Sequence, residues 1–206
     1  MIDFHTHRLD ATDAIISLHP THAADIIASR PHGTYSVGIH PWDTTAPAAA
    51  DFDTVARLAS LPQVVAIGET GLDRLRGADI ATQQLLFEQH IQLSETLRKP
   101  LIIHCVKAWD ILLELHRRHR PSMSWGVHGF RGNPALARQL LDKGLYLSLG
   151  QHFNPATAAL IPDNRLLAET DESPLPITAI AALINSHRST PAPLATTLTT
   201  FLTRPK

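Results

Sequence analysis

What the chain lacks excludes several classes of protein. It has a single cysteine, Cys105, so no internal disulfide can form, and we expect a reducing compartment, the cytoplasm. No apolar run approaches the roughly 20 residues that cross a bilayer, so no membrane partner is expected. The first residues also lack a basic segment followed by an apolar stretch, which argues against a signal peptide.

An excess of positive charge is absent too. The net charge is −1, which argues against a broad basic surface that would hold duplex nucleic acid by counterion release. An enzyme that binds one end of a strand is still compatible with this balance, because metal ions can supply positive charge locally. The 206 residues suffice for a substantial core, and we expect one domain over 1–206.

Eight short runs rich in Val, Ile and Leu predict strands buried on both faces of a parallel sheet. They cover 2–5, 14–18, 35–40, 64–69, 101–104, 124–128, 145–149 and 166–169. Helix-like segments lie at 51–60, 82–98, 109–119 and 134–143, with closing helices after 177. This alternation predicts an α/β fold, a (β/α)8 TIM-type barrel. The link between the first two runs is too short for a crossover helix, so the barrel should be trimmed or irregular between strands 1 and 2.

Metal-competent side chains follow five of these runs. In such a barrel the active site lies at the C-terminal ends of the strands. Residues two apart in an extended segment point to the same side, so His5 and His7 can both face the barrel axis. A lone His-x-His is weak, but polar groups at five strand ends are hard to attribute to chance, since burying them is costly. The candidate ligands are His5, His7, Glu69, His104, His128 and Asp171.

The mixture of imidazole and carboxylate indicates the kind of metal. It suits Zn, Mn, Fe or Ni better than a site built only for Mg or Ca, although Mg stays among the candidates. Six ligands are too many for one catalytic zinc, which usually keeps three protein ligands and a water. We therefore expect two divalent ions bridged by Glu69, an arrangement that clamps the attacking and leaving oxygens of a phosphoryl displacement.

Six segments carry a family resemblance: IDFHTH at 2–7, VGIHP at 37–41, IGETGLD at 67–73, PLIIH at 100–104, VHGF at 127–130 and LAETDESP at 167–174. In this order they resemble the TatD family of metal-dependent deoxyribonucleases, within the amidohydrolase-like barrels. The resemblance implies that His5, His7, Glu69 and Asp171 hold one ion, and that Glu69, His104 and His128 hold the second. It also implies hydrolysis of DNA phosphodiesters, often from a 3′ end.

The implied reaction is the attack of a metal-bound hydroxide on phosphorus. Asp171 is the expected proton acceptor and Glu69 the bridging catalytic carboxylate. The expected partners are DNA ends or short oligonucleotides, and a monomer is compatible with the sequence. Two alternatives stay open: an amidohydrolase-type C–N or ester hydrolase acting on a small molecule, and a non-catalytic metal-binding scaffold.

The chain departs from the family pattern around the phosphate. The arginine common two residues after the fifth-strand histidine is Val106 here, and a common serine is Arg131. His40, Lys107 and Arg131 are therefore candidate phosphate contacts. Their alternatives are a histidine bonded to loop backbone and two solvated surface cations. Trp42 is a candidate for stacking a base, with plain packing as the alternative.

The other histidines fall on expected loops or helices, and we interpret them as surface residues: His19, His22, His32, His90, His116, His119, His152 and His187.

Overall fold

The computed structural model of the protein describes residues 2–45 and 52–203. In these residues eight parallel strands close into a barrel in sequence order, and Asp3 pairs with Ala168 to close the ring. The predicted (β/α)8 TIM-type barrel is therefore confirmed. The strands are β1 (Asp3–Thr6), β2 (Ala14–Leu18), β3 (Tyr35–Val37), β4 (Val64–Asp73), β5 (Leu101–Val106), β6 (Trp125–Val127), β7 (Tyr146–Leu149) and β8 (Leu166–Ala168).

Helices separate most of the strands. They are α1 (Pro20–Ser29), α2 (Phe52–Ala59), α3 (Ile80–Leu97), α4 (Trp109–His119), α5 (Pro134–Asp142), α6 (Pro155–Ala158), α7 (Ile177–Asn185) and α8 (Leu194–Thr203), with 3-10 turns at Pro41–Thr45 and Asp163–Arg165. The helix predicted over 82–98 begins earlier, because Asp79 accepts the N–H groups of Ala81 and Thr82 as its N-cap. Asp51, predicted to begin α2, lies outside the described residues. None of the described helices is long and apolar enough to cross a membrane.

The connection between β1 and β2 is a loop over residues 7–13 with no helix. A four-residue strand is only about 13 Å long, so this loop can return along it and still join parallel neighbours. The trimming predicted between strands 1 and 2 is thus observed. β2 itself is regular, with all five residues buried, and the irregularity lies in β1.

Two strands carry a β-bulge immediately beside polar residues. In β1, the three steps from Asp3 to Thr6 match only two steps along β2. In β4, the three steps from Ile67 to Thr70 likewise match two steps along β5. An extra residue of this kind changes the face to which the following side chains point.

The bulges matter because of what precedes them. Phe4 and Ala66 belong to the apolar cluster inside the barrel. Strict alternation would send His5, one residue after Phe4, and Glu69, three after Ala66, to the opposite face. The inserted residues bring both polar side chains to the inside of the barrel.

The apolar barrel interior is closed at the N-terminal end of the strands by α8. The ring centroid of Phe201 lies 5.1 Å from that of Phe4 and 5.2 Å from that of Tyr146. A Cβ at Gly126 would lie 2.6 Å from Phe4 Cζ, so this crowded layer requires glycine in β6. A larger apolar cluster packs the outer faces of the strands against the helices. The polar side chains are left at the other end of the barrel.

Candidate metal centre

The six predicted ligand residues come together at the C-terminal mouth of the barrel. Their ring nitrogens and carboxylate oxygens form overlapping groups of three, and the atoms of each group lie within 4.8 Å of one another. The residues are His5, His7, Glu69, His104, His128 and Asp171, joined in these groups by His40 and Glu169.

Glu69 lies at the centre, and its two oxygens face two different sets of rings. Oε1 lies 2.7 Å from His128 Nε2 and 2.9 Å from His104 Nδ1. Oε2 lies 3.1 Å from His5 Nε2 and 3.4 Å from His7 Nε2. The carboxylate is therefore shared between two clusters of nitrogen atoms.

Asp171 completes the cluster around His5 and His7. Its Oδ1 lies 3.8 Å from His5 Nε2 and 3.6 Å from His7 Nε2. The backbone holds it there, because Asp171 N–H donates to His5 O and Asp171 O accepts from His7 N–H. Its φ of 53° lies in the left-handed region that residues other than glycine rarely adopt. Such strain is typical of functional positions fixed by their surroundings.

The donor set fits divalent metal ions. Neither ring nitrogen of His5, which is fully buried, has a hydrogen-bond partner among the described residues. His104 Nδ1 and His128 Nε2 also face each other at 3.1 Å beside Glu69. Buried nitrogen and oxygen lone pairs that converge on one space are costly unless a cation binds them. The cluster can hold divalent metal ions.

The charges of the cluster act on one another even without ions. Burial tends to raise the pKa of the Glu69 carboxyl, but the His128 and His5 rings, with hydrogen bonds from His104 and His128, lower it well below its usual range. Burial, together with the nearby Glu169 charge, raises the pKa of the Asp171 carboxyl. The two carboxylates thus have different environments within one site.

Two further carboxylates stand behind the histidines, and neither was predicted. Glu169 Oε1 lies 3.4 Å from His128 Nδ1 and accepts the Gly129 N–H at 2.6 Å. Asp73 Oδ2 lies 3.4 Å from His104 Nε2. Carboxylates in this position orient a histidine and make it a better metal ligand. The available signals were the place of Glu169 at the end of a run predicted to be buried and the place of Asp73 at the end of the IGETGLD segment.

His40 differs from the other rings. Its Nδ1 accepts the Trp42 N–H at 3.2 Å, so the neutral ring carries its proton on Nε2, 3.0 Å from Glu69 Oε1. A protonated nitrogen has no lone pair for a metal, but it can donate a hydrogen bond. This favours the predicted contact with substrate over a role as ligand.

The mouth opens into two cavities. One of about 310 Å³ lies over Glu69 and is lined by His40 and Trp42, among others. The second, of about 260 Å³, is lined by Arg131 and shares Asp171 with the first. Of the other predicted contacts, Lys107 is exposed and lines neither cavity.

One of the histidines interpreted as surface residues also lines the site. His19 is exposed but lines the larger cavity, where Nε2 lies 3.5 Å from Asp43 Oδ2.

The interpretation of His90 as a surface residue is wrong. The ring is fully buried; Nδ1–H donates to Leu86 O at 2.8 Å, and Nε2 accepts the Ile39 N–H at 3.1 Å. Burial lowers the pKa of His90 to about 4. The neutral ring therefore fixes the backbone immediately before His40.

Comparisons with known proteins show the family of the chain. The sequence profile of the family described as TatD related DNase matches residues 12–191. The chain belongs to this family. In fold it is similar to the TatD homologue YjjV of Escherichia coli, with a TM-score of 0.81 and 23% identity over 95% of this chain and 87% of YjjV.

Curated relatives of the TatD family include two enzymes of different description. YcfH of Escherichia coli, a metal-dependent hydrolase, is 35% identical over 73% of this chain and 59% of its own length. The 3′-5′ ssDNA/RNA exonuclease TatD of Salmonella typhimurium is 30% identical over 85% of this chain and 72% of its own. The chain thus spans about three-fifths of YcfH.

Proposed function

We propose that this chain is a metal-dependent phosphodiesterase that shortens single-stranded DNA from its 3′ end. The observation that carries the proposal is the division of the buried Glu69 carboxylate between two clusters of ring nitrogens. This arrangement suits two ions about one bridging carboxylate, with Asp171 as a further ligand of the His5 and His7 cluster. Activity in the Salmonella relative, named as a 3′-5′ ssDNA/RNA exonuclease, supports the substrate class.

Several residues of the chain would have separate roles in phosphodiester hydrolysis. Divalent ions, when bound, supply Lewis-acid activation of the attacking water and neutralise charge on the phosphate. His40 Nε2–H, at the edge of the larger cavity, donates a hydrogen bond to a phosphate oxygen. Asp171, whose side chain is 32% exposed, is open to water and accepts the proton that the nucleophile loses. Glu169 and Asp73 hold the His128 and His104 rings in orientation.

Arg131 is the cation best placed for a second phosphate. It is exposed, follows β6, and lines the cavity that adjoins Asp171. Lys107 stays a predicted phosphate contact. Because it lines neither cavity, it could contact only a part of the DNA strand that extends beyond both cavities.

The test is a nuclease assay in which the metal is supplied. The purified protein is incubated with 5′-labelled single-stranded and duplex oligonucleotides and with Zn, Mn, Mg, Fe or Ni, and products are resolved to one nucleotide. We expect a ladder that shortens from the 3′ end, faster on single strands. Absence of cleavage with every metal, together with hydrolysis of a model amide, would transfer the proposal to the amidohydrolase alternative.

A further inference from the structure

Two loops beside the metal centre are joined into one rigid wall. Thr44 Oγ1, in the 3-10 turn after β3, accepts the N–H of Ala78 from the loop after β4 at 2.9 Å. Gly77, with φ of 85°, approaches the first loop so closely that a Cβ there would lie 2.0 Å from Pro41 O. The wall therefore needs glycine at this point, and its two loops are held against each other.

Buried Gln83 fixes the second loop. The two N–H bonds of its Nε2 are shared among the carbonyls of Asp73, Arg76 and Ala78, and its Oε1 accepts the Asp73 N–H at 2.7 Å. One amide thus ties both ends of a turn that would otherwise expose several unpaired carbonyls. The loop is held in place before any ligand arrives.

Trp42 stands on this wall at the edge of the larger cavity. Its Nε1–H donates to Asp73 Oδ2 at 2.6 Å, and its ring centroid lies 4.8 Å from that of His40. The side chain is nevertheless 44% exposed, and among the phenylalanines, tyrosines and tryptophans that the structure describes it is the only exposed one. Packing does not account for an indole that is both fixed and open to solvent.

Two arginines of the same loop have different surroundings. Arg74 pairs with Asp110 at 2.7 Å and donates to Lys107 O. Arg76 instead places its guanidinium carbon 4.3 Å from the centroid of the Trp42 ring. Within this distance a cation is attracted to the face of an indole. Leu75, between them, is 63% exposed and adds apolar surface to the same loop.

We propose that Trp42 and Arg76 form a binding site for the nucleobase of the strand's terminal nucleotide, next to the phosphate held at the metal centre. This inference rests on the proposed function, since it assumes that the ligand is a nucleic acid strand. Every base has a π face, so stacking on this pair tolerates any sequence. Asp73 orients the indole and also contacts His104, so the base site and the metal centre share one support.

The experiment compares strands with and without a terminal base. Binding of 5′-fluorescein tetrathymidylate, and of the same strand with an abasic 3′-terminal residue, is measured by anisotropy with the metal supplied, and both strands carry phosphorothioate linkages to resist hydrolysis. With the unaltered protein we expect the abasic strand to bind about 5- to 150-fold more weakly, the range for loss of one base–aromatic stack. Trp42→Ala should bring this ratio close to one, and Arg76→Gln should lower it.

Two control variants test whether lost stacking causes the change in the binding ratio. Trp42→Phe keeps an aromatic face and should retain most of the ratio, which separates lost stacking from a damaged loop. Arg74→Gln removes the same charge from the same loop and should leave the ratio unchanged. Equal weakening of both strands by Trp42→Ala, or no detectable binding to the unaltered protein, would overturn the base site.

Cleavage assays with the same two strands separate this inference from the proposed function. Hydrolysis without any effect of the terminal base on KM would remove the base site and leave the phosphodiesterase. A preserved binding ratio with no hydrolysis under any metal would support the base site and contradict the phosphodiesterase activity.

Discussion

Glu69 is shared by both nitrogen clusters, and its two oxygens have distinct partners. We predict that Glu69→Gln abolishes turnover and leaves the fold intact. An amide is neutral and has only one carbonyl oxygen, so it cannot bridge two cations. Phosphodiester hydrolysis, metal content and circular dichroism measure the effect.

The matched control is Glu114→Gln, an exposed carboxylate of α4 that pairs with Arg117, which should be indistinguishable from the unaltered protein. A Glu69→Gln protein that keeps both ions and more than about a tenth of its activity would contradict the bridging role.

Glu169 acts through His128 rather than on substrate. It is fully buried; burial tends to raise the pKa of its carboxyl, but the His128 and His5 rings lower it. We predict that Glu169→Gln lowers metal affinity about 10- to 100-fold, the scale for losing a carboxylate behind a ligand histidine. Metal titration followed by calorimetry measures this. Glu172→Gln, an exposed carboxylate three residues on, is the control, and an equal loss there would argue against a specific role for Glu169.

His90 makes stability depend on pH. Its pKa is about 4 in the folded protein and about 6.5 when exposed, so the unfolded chain binds more protons between these values. Stability should be complete above about pH 6.5 and fall towards pH 4 by up to about 3 kcal/mol. Urea unfolding at pH 7.5 and 5 should show a smaller difference for His90→Gln than for the unaltered protein. The same difference in both proteins would assign the effect to other groups.

At the scale of helices and strands, prediction from the sequence succeeded where a single segment contains all the information needed to recognise the element. Apolar runs specified all eight strands because strands buried on both faces need no partner to be recognised. The bulges in β1 and β4 were beyond reach, since they depend on register with β2 and β5. α1 was not predicted, because its buried face has only one large apolar side chain. The buried residues are Pro20, Ala23 and Ile27.

The candidate site divides in the same way. Residues at the strand ends could be predicted because the C-terminal ends of the strands meet at one edge of the barrel. Asp73 and Glu169, in contrast, acquire their roles only through contacts with other strands. His90 could have been placed correctly. It follows Leu86 by four residues and Phe87 by three on α3, so it lies on the buried face of that helix.

The wall of two loops yields a prediction about Gln83. Gln83→Met keeps the length of the side chain but removes every hydrogen bond of the amide. We expect a loss of about 1–3 kcal/mol in the free energy of unfolding, since buried backbone groups would be left unpaired. Denaturant unfolding measures it, and Gln89→Met, at an exposed position of the same helix, should cost much less. Equal effects would show that Gln83 is not a clamp.

At the scale of the whole molecule, charge limits how nucleic acid can bind. With a net charge of −1 the 18 lysines and arginines are balanced by 19 aspartates and glutamates, and Arg74 is already paired with Asp110. We predict a shallow salt dependence for single-stranded oligonucleotides, with a log–log slope of about −1 to −3, since each phosphate contact contributes about −0.7. Anisotropy titrations between low and physiological salt measure the slope. A much steeper slope would require a basic surface that these residues do not form.

The seam of the barrel gives the metal centre a second consequence. His5 and His7 belong to the first strand and its loop, Asp171 follows the last strand, and backbone hydrogen bonds join them. A cation bound by these three side chains would link the first strand of the sheet to the last. Because it would bind only the closed ring, it adds about 2.7 kcal/mol at a hundred times its Kd. Chelation should accordingly lower Tm by about 5–10 °C, and should do so far less in Glu69→Gln. The ions would then have two roles: hydrolysis of the substrate and stabilisation of the closed barrel.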